Sequence, residues 1–116
     1  MWEILTTDVF DEWFFAQHET LREDVLAIMG ILAEMGPQLG RPYVDTLKGC
    51  KFSHLKELRI QHDGKPIRAF FAFDPVRRAI VLCAGDKSGV NQKQFYRKMI
   101  SMAEAEYRRH LVQMEG

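Results

Sequence analysis

The sequence is short of the features that place many small proteins at a glance. Two cysteines occur among 116 residues, Cys50 and Cys83, with no CxxC or Cys/His metal spacing. A disulfide-dense scaffold and a zinc motif are therefore not in prospect, and reduced thiols in a cytoplasmic protein fit best. No apolar run approaches the roughly 18–20 residues that span a bilayer. The opening stretch, MWEILTTDVFDEW, is acidic and has no charged n-region leading into an apolar h-region, so no signal peptide is expected. There is no HExxH, nucleophile elbow or Cys-His-Asp arrangement, and Gly85-Asp86-Lys87-Ser88-Gly89 is not a GxxxxGKS/T phosphate loop. With no internal repeat, low-complexity segment or linker, residues 1–116 read as one domain.

What is present is a core-forming composition and a hidden polarity. The apolar fraction is 47%, with eight phenylalanines, which excludes a disordered or fibrous class. The formal net charge is zero, yet residues 1–40 hold eight acidic side chains and one basic one (Arg22), while residues 41–116 hold fifteen basic and eight acidic. Such asymmetry has two readings: a half that faces a polyanion, or two solvated faces that cancel.

Periodicity gives the elements. Residues 2–6, WEILT, read as a strand. Val9, Phe10, Trp13 and Phe14 form one helical stripe after a Thr7 or Asp8 cap. A second helix is expected from Thr20 to Met35, with Thr20 and Glu23 as a capping box and Gly36-Pro37 as its stop. The segment 36–53 is expected to be a long loop of the kind that carries function. Strands follow at about 54–62, 66–74 and 78–84, joined by an Asp63-Gly64 turn and an Asp74-Pro75-Val76-Arg77 turn. A helix from Asn91 to His110 closes the order, buried through Phe95, Met99, Met102, Ala103 and Leu111. The expected fold is α+β: an N-terminal strand and helical hairpin, an antiparallel three-stranded sheet, and a C-terminal helix.

The turn at Asp63 and Gly64 fixes a register in which Arg59 lies opposite Arg68, an arrangement of like charges that destabilises a ladder. Alternation puts Lys56, Leu58, Ile60, Ile67, Ala69, Phe71, Phe73, Ile80, Leu82 and Ala84 on a core face, and Glu57, Arg59, Gln61, Arg68, Phe70, Ala72, Val81 and Cys83 on a mixed one. The arginine pair is either a salt-bridge cluster, neutralised by Glu57 with Glu104 or Glu106, or an anion site. In the second case rigid strands present guanidinium forks to phosphate oxygens. His54 and His62 flank the first of these strands, each either a general base or a surface residue. Tyr96 either stacks a base or donates a proton, or else belongs to the core.

The runs LKELRI (55–60), PIRAFFAFD (66–74) and RAIVLCAGDKSG (78–89), followed by a helix, resemble the RelE/ParE toxin superfamily, and within it the phage-related HigB-type toxins of toxin–antitoxin modules. The likeness runs from about Leu47 to Tyr107. It implies a RelE-like fold and a ribosome-dependent endoribonuclease that cuts mRNA without a metal or cofactor, the 2′-OH attacking the adjacent phosphate.

Carried over, the resemblance makes Arg59, Arg68, Lys87 and Glu57 the catalytic set. It makes Lys56, Arg77, Arg78, Lys93, Tyr96 and His54 RNA contacts. RelE-type enzymes place a lysine where this chain has Glu57, which then serves as a base or orients Arg59. The implied partners are mRNA on the ribosome and a cognate HigA-like helix-turn-helix antitoxin, in the cytoplasm and away from membranes. The superfamily also contains ParE-like proteins, so the rival expectation is an inhibitor of DNA gyrase without nuclease chemistry.

Overall fold

The structure, a computed structural model, describes residues 1–50 and 54–116. The end of the expected 36–53 loop therefore lies outside the described residues. In chain order the elements are β1 (Glu3–Thr6), α1 (Asp8–Phe15), α2 (Glu19–Met35), a 3-10 turn (Gly36–Gln38), β2 (Val44–Thr46), β3 (Lys56–His62), β4 (Lys65–Phe73), β5 (Arg78–Asp86) and α3 (Gln92–Glu115). The strands form one sheet in the order β1-β5-β4-β3-β2. The three-stranded expectation is thus corrected to a five-stranded mixed sheet. β1 adds in parallel to β5, and the short β2 adds antiparallel to β3 from within the expected loop.

Local chemistry explains most boundaries. Thr7 caps α1: its Oγ1 accepts from the Phe10 N–H (3.1 Å) and donates to the Leu82 carbonyl (2.6 Å), tying the cap to β5. α2 begins one residue earlier than expected because His18, not Thr20, is the cap residue, its Nδ1 taking the Thr20 N–H at 3.3 Å. α2 ends at Gly36 in a left-handed conformation (φ 59°), with the Trp2 indole packed where a Cβ would stand. Asp63 (φ 49°) and Gly64 (φ 78°) are both left-handed, which matches the right-handed strand twist of a tight hairpin. Asn91 caps α3 by accepting from the Gln94 N–H at 3.0 Å, and the helix runs on to Glu115.

Both faces of the sheet are covered. α1 and α2 pack on one face through Phe10, Phe14, Leu21, Val25 and Leu32, against Leu58, Ile60, Ile67, Ala69 and Phe71. On the other face α3 lays Met99, Ala103 and Tyr107 over Phe70, Ala72, Ile80, Leu82 and Cys83. Simple alternation fails in β5. Phe70 pairs with Cys83 but Phe71 pairs with Val81, so Leu82 is an extra residue in a β-bulge. Leu82 and Cys83 consequently both face α3. Ile80 joins them there, while Ala79, Val81 and Ala84 face the N-terminal helices. Ile80, Leu82 and Val81 therefore lie on the faces opposite to those expected.

Candidate active site

Three elements and the turn after β5 bring one cluster together on the α3 side of the sheet. β3 supplies Glu57 and Arg59, two residues apart and so on one face. β4 supplies Arg68, which lies opposite Arg59 in the ladder as the turn geometry predicts. Beyond β5 the Lys87 N–H bonds the Pro66 carbonyl at 2.9 Å, which fixes that lysine beside the start of β4. The second turn of α3 then lowers Tyr96 onto the group.

Glu57 is the hub. Only 4% of it is exposed. Its Oε1 accepts from Arg59 Nε and Nη2, each at 3.3 Å, and its Oε2 accepts the Tyr96 hydroxyl at 2.6 Å. Arg68 Nε lies 3.8 Å from Oε2, close enough for attraction but beyond hydrogen-bond reach. That buried Nε finds no hydrogen-bond partner among the described residues, while Arg68 Nη1 donates to the Ile67 carbonyl at 3.1 Å. Lys87 Nζ sits 3.4 Å from the Tyr96 oxygen and 5.3 Å from the centre of its ring. On the outer side, Asp45 of β2 accepts from Arg59 Nη2 at 3.1 Å and from Arg41 Nη2 at 3.0 Å.

The shared field shows in the acidities. Burial, then repulsion from Arg68, outweighs the pull of Glu57 and lowers the pKa of Lys87, with Arg59 adding to the drop. Burial and the hydrogen bond to Glu57 push Tyr96 up to about 12. Burial opposes ionisation of Asp45, but Arg41, the Thr46 N–H and Arg59 hold its carboxyl below the ordinary value.

The salt-bridge reading of the arginine pair holds in part. Glu57 does neutralise, though α3 supplies Tyr96 rather than Glu104 or Glu106; Glu106 instead lies 3.9 Å from Arg109. Glu57 and, on the outer side, Asp45 are set against Arg59, Arg68 and Lys87, with Arg41 beyond, an excess of positive charge suited to an incoming anion.

Not every expected residue joins this cluster. Lys56 points to the opposite face, with its Nζ 5.9 Å from the Phe73 ring centre. Arg77 occupies a turn over Trp2 (5.3 Å). Arg78 pairs with Asp74 at 2.9 Å and Glu3 at 4.0 Å, at the far end of β5 from Lys87. His54 bonds the Tyr107 hydroxyl at 2.9 Å, about 16 Å along α3 from Tyr96 at the helical rise. His62 turns toward α2, 2.6 Å from Asp24. Lys93 is exposed on the first turn of α3, three residues before Tyr96 and so on its side of the helix. Sequence reasoning missed Asp45. The signal available was β-branched Val44 and Thr46 flanking it, too short a run to stand out from a loop.

The class follows from architecture. The chain has the RelE fold. A free-state mutant of the Escherichia coli toxin RelE matches 85% of this chain and 97% of its own, with a TM-score of 0.60 at 12% identity. The archaeal RelE–RelB complex from Pyrococcus horikoshii matches 77% and 98%, with a TM-score of 0.56 at 14% identity.

The chain belongs to the phage derived protein Gp49-like family, whose profile matches residues 12–108. Two relatives are HigB2 and HigB3 of Mycobacterium tuberculosis, both named as candidate toxins. HigB2 is 40% identical over 113 residues, covering 95% of this chain and 56% of HigB2. HigB3 is 43% identical over 94 residues, covering 81% of this chain and 80% of HigB3. The chain thus spans little more than half the length of HigB2.

Proposed function

We propose that this protein is the toxin of a type II toxin–antitoxin pair and cleaves mRNA on the ribosome. The observation that carries the reading is the Arg59–Arg68 pair, held face to face with Lys87 beside it and Glu57 between. A ladder position that costs stability through repulsion becomes favourable when a phosphate bridges the two guanidinium groups.

In the proposed reaction the scissile phosphate displaces Glu57 as the partner of Arg59 and Arg68. The freed carboxylate takes the proton of the 2′-OH. The 2′-oxygen bonds to phosphorus, the P–O5′ bond breaks, and the leaving 5′-oxygen receives a proton from Lys87. The products are a 2′,3′-cyclic phosphate and a 5′-hydroxyl. Lowering the pKa of Lys87 makes it a better acid, and raising that of Tyr96 keeps its hydroxyl a donor. The positive charge that a metal supplies in other nucleases comes here from three side chains, each worth on the order of 10²–10³ in rate if the usual value for a preorganised donor applies.

The names of the relatives support the toxin reading, and the RelE–RelB complex supports an antitoxin partner, for which a HigA-like helix-turn-helix protein is the candidate. No helix among the described residues is long and apolar enough to cross a membrane, and the proposed site of action is the cytoplasm.

Mapping transcript ends after induction tests the reading. Cuts within translated messages, lost in Arg68→Ala, are the expected result. Intact messages with double-strand DNA breaks would establish a gyrase inhibitor instead.

A further inference from the structure

The geometry points to a nucleobase subsite next to the phosphate clamp, at the open edge of β3. The inference rests on the RNA-directed reading above. β2 pairs only with Lys56–Leu58, and one further bond, from the Arg59 N–H to the Tyr43 carbonyl (2.7 Å), ends the cover. Past that point lies a cavity of about 350 Å³, lined by Asp24 and Ile28 of α2, by Tyr43, and by Arg59, Gln61 and Arg68.

Continuity with the clamp says what fits. Arg59 and Arg68 form one wall, so a nucleotide whose phosphate they hold places its base in this space. Across the ladder Gln61 faces Pro66, which has no N–H, and residues alternate in the side to which their backbone groups point. The N–H and C=O of Gln61 and the C=O of Arg59 therefore point outward, to the edge of β3. Tyr43 offers a partly exposed ring for stacking. Ile28 gives an apolar wall.

Asp24 adds an acceptor, steadied by His62 at 2.6 Å. With the two guanidinium groups turned to the phosphate, two backbone carbonyls and a carboxylate stand against one backbone N–H, while the Gln61 side-chain amide can donate or accept. This composition favours bases with an exocyclic amino group (adenine, cytosine, guanine) over uracil, which donates only through N3–H and would turn the two flanking carbonyl oxygens toward the site's acceptors.

The test is a titration of the 15N-labelled protein with 2′-O-methylated RNA trinucleotides that differ only in one base. Support is a shift of the Gln61 backbone amide, with the uracil version binding about tenfold more weakly than the best amino-bearing one. Tyr43→Leu should weaken binding of every version by roughly tenfold, the scale of one lost stacking contact. Asp24→Asn should narrow the discrimination to within about threefold.

The inference is overturned if no trinucleotide binds. It is equally overturned if shifts are confined to Arg59 and Arg68, or if the uracil version binds tightest. Protection of the Gln61 amide by an antitoxin strand but not by RNA would also overturn it, making this edge a peptide site. If cellular transcripts stay intact while the trinucleotides shift Gln61 as described, the nuclease reading fails and the subsite stands.

Discussion

Tyr96 donates its hydroxyl proton to Glu57 at 2.6 Å, so the carboxylate between the two arginines is held by the last helix as well as by its own strand. Tyr96→Phe deletes that bond and leaves Glu57 with Arg59 as its hydrogen-bond donor. The expected cost is about 1.5–3 kcal/mol, the range for a hydrogen bond to a charged group, measurable by urea unfolding. In the intact protein, absorbance at 295 nm should show this tyrosine ionising near pH 12, well after an exposed one.

Arg68→Ala should abolish mRNA cleavage while preserving the far-UV circular dichroism spectrum. Arg68→Lys should restore little. A single ammonium cannot reproduce the fork that bonds the Ile67 carbonyl while reaching toward Glu57. Full activity in the lysine variant would show that only the charge matters.

Glu57→Gln should separate stability from chemistry. It removes the countercharge that sits 3.3 Å from Arg59 and 3.8 Å from Arg68, so only Asp45, on the outer side of Arg59, still offsets their repulsion. Phosphate or a short RNA should raise the melting temperature of this variant more than that of the parent. Cleavage should fall by on the order of 10²-fold if the carboxylate is the base.

Lys87 links pH to both stability and activity, with opposite signs. Its folded pKa lies below the ordinary 10.5, so folding disfavours the charged form. That penalty is fully present below the folded value and is relieved as pH rises toward 10.5, so the contribution of Lys87 to stability increases across this window. Cleavage that needs the ammonium should fall over the same window. Lys87→Met should remove both trends, seen by comparing pH profiles of unfolding and of activity.

Cys83 moves the other way. Burial, with the Glu106 carboxylate adding to it, pushes its thiol from 9.0 up to about 12. The unfolded chain loses this proton first, so stability should decline by roughly 1.4 kcal/mol per pH unit between those values. Cys83→Ala should flatten that stretch of the curve.

At the other end of the molecule, Gly36→Ala should be destabilising by several kcal/mol. A Cβ there would overlap the Trp2 indole, and φ of 59° is strained for any L side chain. Trp2 fluorescence should report the displacement.

Much of this was legible in the residues because local rules governed it. The Asp63-Gly64 turn dictated the Arg59–Arg68 register, and the helical stripes named most of the packed faces. Alternation already put Glu57 beside the arginines, whereas Tyr96 was legible there only through resemblance, since no spacing rule joins residues 39 positions apart. Other features were hidden for physical reasons. Parallel pairing of β1 with β5 leaves no local signal, because the partners lie 75 positions apart in the chain. The bulge at Leu82 changes face without changing composition. Arg78, an apparent RNA contact, is spent on a buried carboxylate: burial opposes ionisation of Asp74, yet bonds from His110 and Arg78 keep it below the ordinary range.

The parallel β1–β5 pairing also sets an order of assembly. The Thr7 hydroxyl cannot reach the Leu82 carbonyl until β5 has been synthesised, and Lys87 and Tyr96 follow later still. Closing a contact across 75 residues slows folding relative to local hairpins. Until β5 and α3 are in place, the sheet edge stays open and the cluster incomplete. A partly synthesised copy therefore has no assembled cluster.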